Sequence, residues 1–112
     1  MTTASQPIDR SVLDGIRTGD ERSLERLFRE RYAELTTEAT SELGEAGPAS
    51  APRVVEKVFV RAWEERAQFE SPEALDAFLH RSLHEAAVRE RSRLAALHRR
   101  EAHDGVRHAH PA

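Results

Sequence analysis

The chain has 112 residues, a formal net charge of −3 and only six Phe, Trp or Tyr residues, which leaves room for one domain with a small, mostly aliphatic core. It contains no Cys, which excludes disulfides and Cys-ligated zinc. No apolar run is long enough to cross a bilayer, and the N-terminal sequence MTTASQPIDR lacks the basic and apolar regions of a signal peptide. We therefore expect a cytoplasmic protein.

The N-terminal half is predicted to contain a flexible segment followed by two helices. The flexible segment is residues 1–8, and a short helix follows over about residues 9–17 and stops at Gly19. Asp20 is a suitable N-cap for the second helix, in which apolar residues recur every three or four positions for six turns, as far as Gly44.

The middle of the chain is predicted to be a loop followed by a third helix. Residues 45–52, EAGPASAP, have the composition of a loop, and Pro52 suits the first turn of a helix. The next stretch, VVEKVFVRAWEE, is rich in β-branched residues, yet its apolar residues do not alternate as in a strand. They recur with helical period, at Val54, Val55, Val58, Phe59, Ala62 and Trp63. We interpret this stretch as an amphipathic helix with Phe59 and Trp63 in the core.

A fourth helix is predicted to begin where Ser71 caps and Pro72 opens it. Its apolar pattern weakens after Val88, and residues 103–112 are predicted to be a disordered tail. The sequence thus predicts an all-α fold, a compact antiparallel bundle of about four helices over residues 9–102.

The fourth helix is also the basic part of the chain. Six arginines and two glutamates lie between His80 and Arg100. This composition is compatible with phosphate contacts and equally with a solvated helix face whose charges pair at i,i+4 spacing.

The order of these segments resembles region 2 of the extracytoplasmic-function sigma factors of bacterial RNA polymerase. The likeness covers roughly Val12 to Arg100. Its most specific part is VFVRAWEE, which is similar to the acidic-Val-Phe-Leu-Arg-Ala-Trp helix of that family. It is supported by the Gly-Asp before the long second helix and by FLHRSLHE, which resembles the family's WLYRIARN segment.

The resemblance implies a transcription initiation module with two surfaces and no cofactor. The third helix would dock on the coiled coil of the largest polymerase subunit through Arg53, Glu56, Lys57 and Val60. The following loop and helix would bind the minus-ten promoter element through Phe69, Glu70, Ser71, His80, Arg81, His84, Arg89, Arg91 and Arg93. The implied partners are RNA polymerase core, promoter DNA and an anti-sigma protein.

The docking positions differ in charge from those of the family. Asp, Gln and an acid are usual where this chain has Arg53, Glu56 and Lys57, and the polymerase surface that they meet is basic. Like charges across an interface oppose association, so we expect polymerase docking to be weaker than in typical members. On the fourth helix, Glu85 is expected to weaken contact with DNA phosphates.

Other functional classes remain as alternatives. A protein-interaction or regulatory module that kept the fold and lost promoter binding is the main rival. His80 and His84 are four residues apart, but a metal site needs a third ligand, so no metal site is expected. No enzyme activity is expected either, because the sequence has no nucleophile with a base at motif spacing and no phosphate-binding glycine loop.

Overall fold

A computed structural model describes the backbone of residues 6–109 and the side chains of residues 6–102. The described residues form α-helices and short 3-10 turns with no strand, which confirms the all-α prediction. Of the segments predicted to be flexible or disordered, residues 1–5 and 110–112 lie outside the described part.

The first two helices begin at aspartates, as predicted. Helix α1 is Arg10–Arg17 and helix α2 is Glu21–Leu43. Asp9 and Asp20 are their N-caps, and each carboxylate accepts a hydrogen bond of 3.0 Å from the backbone N–H two residues on. These bonds satisfy donors that a helix leaves unpaired at its start, so the two boundaries follow from local chemistry.

The prediction of a loop over residues 45–52 is wrong. A 3-10 turn, Gly44–Ala46, leads directly into helix α3, Gly47–Glu64. The first residue of α3 is buried against α2, where an added Cβ would lie 2.5 Å from the carbonyl oxygen of Thr40. Only glycine permits this approach, and the helix then continues through the exposed Pro52, whose missing N–H removes one backbone hydrogen bond.

Helix α4 is longer than predicted. A second 3-10 turn, Arg66–Gln68, precedes it, and α4 spans Pro72–Ala109. Ser71 caps it as predicted, because its hydroxyl oxygen accepts a hydrogen bond of 3.0 Å from the backbone N–H three residues on. The backbone of α4 therefore extends into the segment predicted to be a disordered tail.

The core forms where α3 packs between α2 and α4. The buried residues of α3 include Val54, Val55, Val58, Phe59 and Ala62. Helix α1 adds Val12, Leu13 and Ile16, and α4 adds Leu75, Leu79 and Leu83. The end of the segment predicted to be flexible also belongs to this core, because Ile8 is only 4% exposed.

The molecule is elongated, with principal extents of 66 × 35 × 19 Å. At 1.5 Å per residue the 38 residues of α4 span about 57 Å. Among the residues of α4 up to position 102, whose side chains the structure describes, the last buried one is Glu90, so the turns from there to position 102 leave the packed part of the chain.

The two large aromatic residues of α3 differ in burial. Phe59 is 4% exposed, and its ring lies 4.9 Å from that of Phe28, centroid to centroid, in an edge contact. Trp63 is only partly buried, and the guanidinium of Arg66 lies 4.5 Å from the centroid of its ring. The prediction of a core position is confirmed for Phe59, whereas Trp63 lies at the edge of the core.

We predict that Phe59→Ala lowers the free energy of unfolding by about 3–5 kcal/mol, because it empties a buried site. Trp63→Ala should cost less, because its ring is already partly hydrated. Thermal or urea unfolding followed by circular dichroism measures both, with Val88→Ala as an exposed control. A cost for Trp63→Ala equal to or above that for Phe59→Ala would contradict this assignment.

Candidate docking and nucleic-acid surfaces

One face of α3 remains exposed after the core has formed. We call it the α3 outer face, and its residues are Arg53, Glu56, Lys57, Val60, Arg61 and Glu64. They lie opposite the buried stripe because both sets recur with the helical period. All four residues predicted to bind polymerase are therefore neighbours on one accessible surface.

The α3 outer face combines an apolar centre with charges of both signs. Val60 is 52% exposed, the largest exposure among the large hydrophobic residues described. Three cations and two carboxylates surround it, which gives the face a slight positive excess. An exposed aliphatic side chain among charges suits a protein contact, since its burial against a partner is favourable while the charges select the partner.

Arg61 connects the α3 outer face with α4. Its Nε donates to Glu65 over 2.9 Å, and its Nη1 donates to Glu85 over 3.2 Å. These hydrogen bonds, first to Glu65 and then to Glu85, raise the pKa of Arg61 above its ordinary value. Arg61 thus remains charged, and the carboxylate of Glu85 is already paired with it.

The loop before α4 does not present the surface predicted to bind bases. Phe69 is 3% exposed, and its ring centroid lies 4.9 Å from that of Phe78 in an edge contact. The predicted DNA contact of Phe69 is therefore corrected, because the short 3-10 turn directs the ring into the core. The hydroxyl of Ser71 is engaged in the helix cap, and Glu70 alone of the three predicted loop residues is exposed.

The two histidines predicted to face DNA contact α2 instead. His80 Nδ1 lies 2.8 Å from Glu38 Oε2, and His84 Nδ1 lies 2.5 Å from Glu42 Oε1. Because both pairs are spaced by four residues on their helices, they stack one turn apart. We call these two pairs the histidine clasp, and they join α2 to α4. Both histidines thus face α2, away from Arg89 on the other side of α4, whereas Arg91 follows His84 by seven residues and lies on the same face of the helix.

The predicted DNA-binding arginines fall into two groups. Arg81, Arg89 and Arg91 are exposed on α4. Arg93 instead donates two hydrogen bonds of 2.9 Å to the carboxylate of Glu90, which is only 3% exposed. The bond from Arg93 holds the pKa of Glu90 below its usual range, and Arg93 therefore neutralises a buried charge of its own helix.

Sequence reasoning missed Arg61 and Ser82 as residues of functional interest. The partners of Arg61 on α4 cannot be predicted, because a contact between helices carries no signal in a single sequence. Ser82 lies on the buried side of α4 and is 3% exposed. A hydroxyl within such a stripe is the one signal that could have singled it out, since buried polar groups need partners.

The described residues offer no metal centre, for no three or more His, Asp or Glu side chains among them are placed to hold an ion. None of the described helices combines the length and apolar character needed to span a membrane.

The sequence matches no protein-family model, no curated protein and no solved structure.

The histidine clasp predicts a dependence of stability on pH. The hydrogen bond to Glu42 raises the pKa of His84, and the charges of Glu42, Glu85 and Glu38 act in the same direction. A pKa raised by folding stabilises the fold below the unfolded value of about 6.5, and this contribution is lost as the pH rises through the raised folded value.

The melting temperature of the parent chain should therefore exceed that of the His84→Ala variant by more at about pH 6 than at about pH 9. His98→Ala is the matched control, because His98 is exposed and pairs with no described residue. Thermal melts across this pH range measure both variants. A difference in melting temperature between the parent chain and His84→Ala that does not change with pH would refute a protonated His84 paired with Glu42.

Proposed function

We propose that the chain is a sigma-factor-like transcription initiation module that binds bacterial RNA polymerase core through the α3 outer face. The proposal rests on the resemblance of residues 12–100 to region 2 of the extracytoplasmic-function sigma factors. In this proposal, α1 to α4 form the region 2-like bundle of four helices. The docking partner is the coiled coil of the largest polymerase subunit, and the protein acts in the bacterial cytoplasm.

The observation that carries the proposal is the grouping of Arg53, Glu56, Lys57 and Val60 on one exposed surface. The resemblance selects these positions from sequence alone, and a different helix rotation would have buried some of them. The buried stripe fixes that rotation, because Val58 and Phe59 are 1% and 4% exposed. The orientation of the α3 backbone is thus fixed by the core, and these four positions face outward without any change in the packing of the helix.

The proposal limits the contact with promoter DNA to the phosphate backbone. Arg81, Arg89 and Arg91 are the exposed cations of α4 in the predicted DNA-binding set. Recognition of extruded bases in the minus-ten element would need accessible aromatic or polar groups in the loop, and Phe69 and Ser71 are occupied within the fold. Backbone contact of this kind gives salt-dependent affinity with little sequence preference.

A second candidate is a diverged module of the same fold that binds a protein, such as an anti-sigma protein, and has lost promoter binding. The occupied loop and the histidine clasp favour it, because Phe69 is buried, the Ser71 hydroxyl caps α4, and His80 and His84 are paired with carboxylates of α2. The two candidates share the α3 outer face and differ in whether the chain binds DNA.

Substitution of Val60 tests polymerase docking. Val60→Arg should weaken capture of purified bacterial core polymerase by at least about tenfold, because it replaces the apolar centre of the contact with a cation that faces a basic surface. Val88→Arg is the matched control, since Val88 is similarly exposed, at 46%, but lies on α4. Equal capture of the two variants would show that α3 does not dock in this way.

The charges around Val60 give an independent test in the opposite direction. The double variant Arg53→Asp with Lys57→Glu should bind core polymerase more tightly than the parent chain, because it restores the acidic character of the family's docking face. A pull-down titration of both proteins measures the difference. Tighter binding by the parent chain would mean that another kind of surface meets the α3 outer face.

Salt dependence tests the DNA contact and separates the two candidates. Binding of a labelled single-stranded minus-ten oligonucleotide should weaken with a log–log slope of about −0.7 per phosphate neutralised. Replacement of Arg81, Arg89 or Arg91 with Ala should reduce the slope by somewhat under one unit each, whereas His84→Ala should leave it unchanged. Fluorescence anisotropy at several salt concentrations measures these slopes. No binding at low salt would favour the protein-interaction candidate.

A further inference from the structure

A cleft of about 120 Å³ lies between α3 and α4, beside the α3 outer face. Three residues of each helix meet there, and the lining residues are Lys57, Val58, Arg61, Ser82, Ala86 and Arg89. The sequence assigned Lys57 to polymerase and Arg89 to DNA, but the structure places both at the same cleft. Its volume equals that of about four water molecules, which suffices for a group of five heavy atoms.

A polar group without a partner lines this cleft. Ser82 is only 3% exposed, and its hydroxyl makes no hydrogen bond with any residue whose side chain is described. The hydroxyl is not one of the fully buried atoms that lack a partner, so water or a ligand in the cleft can accept a hydrogen bond from it. The hydroxyl is a donor that can adapt its direction, as anion binding requires.

The cleft also carries more positive than negative side chains among the residues that line it. Within the described part of the chain, neither Lys57 nor Arg89 forms a salt bridge or a hydrogen bond. The two nearby carboxylates are already engaged, Glu85 by Arg61 at 3.2 Å and Glu90 by Arg93 at 2.9 Å. Two cations without a direct salt bridge therefore line the cleft, and one of them, Lys57, also helps to lower the pKa of Glu90 through its charge.

We propose that this cleft binds a phosphoryl group, held by the Lys57 ammonium, the Arg89 guanidinium and the Ser82 hydroxyl. Charge-assisted hydrogen bonds from lysine and arginine together with a hydroxyl are a recurrent chemistry for phosphate oxygens. Arg61 adds its charge from the side of α3. The site goes beyond the proposed function, because it assigns Lys57 to an anion ligand and does not depend on polymerase docking.

The same chemistry fits two sources of phosphate, a nucleic-acid backbone and a small phosphorylated molecule. The experiment therefore uses two probes on the full chain, a single-stranded oligothymidylate by fluorescence anisotropy and inorganic pyrophosphate by titration calorimetry. Lys57→Ala and Arg89→Ala should each weaken binding of at least one probe by roughly tenfold. Ser82→Ala should weaken it less, because it removes an uncharged donor.

Matched control variants distinguish binding in the cleft from a general effect of positive charge on the surface. Arg53→Ala and Arg99→Ala remove the same charge from the same helices outside the cleft, and we expect them to weaken binding by less than about twofold. Glu85→Gln should tighten binding, because it removes a negative charge beside the cleft and one of the two carboxylate partners of Arg61. Circular dichroism of each variant checks that the fold is retained.

The pattern of losses identifies the source. Loss of pyrophosphate binding in the cleft variants supports a small-molecule site, and loss of oligonucleotide binding alone supports a backbone phosphate. Absence of binding to both probes, or equal losses in the cleft and control variants, would overturn the proposal. The phosphate-binding experiments test the cleft, whereas capture of polymerase by the Val60 variants tests the proposed function. Failure of one proposal can therefore be distinguished from failure of the other.

Discussion

The packing of α3 between α2 and α4 is the constraint on which the other features depend. Its buried stripe includes Val55, Val58 and Phe59, and all three are almost inaccessible to solvent. Once that stripe faces inward, the rotation of the helix is fixed to within a fraction of a turn. The outward surface around Val60 and the cleft at Lys57 are consequences of this single orientation, so the core and the candidate interfaces cannot change independently.

Charged pairs fasten α4 to the rest of the fold on two sides. The histidine clasp joins it to α2, and the Arg61–Glu85 pair joins it to α3. Exposed ion pairs contribute little each, yet they consume side chains that a nucleic-acid surface would otherwise use. The fourth helix of this chain is therefore partly a structural element, and the cations left for ligands are few and definite in position.

The sequence predicts the features that depend on local chemistry. Asp20 and Ser71 cap helices because their side chains bond to nearby backbone groups, and the inward face of α3 follows from the period of its apolar residues. The sequence does not predict features that depend on contacts with residues far away along the chain.

The loop over residues 45–52 is helical because Gly47 packs on Thr40. Phe69 lies in the core because Phe78 receives its ring. The pairing of His84 with α2 depends on Glu42, which lies 42 residues away in sequence.

Site-specific crosslinking tests the central claim most directly. The chain contains no cysteine, so Val60→Cys provides a single attachment site for a photo-crosslinker on the α3 outer face. With purified core polymerase, the account predicts a crosslink to the coiled coil of the largest subunit from position 60 and none from Val88→Cys, labelled in the same way. Equal crosslinking from both positions, or a crosslink from position 60 to another subunit alone, would contradict docking through α3.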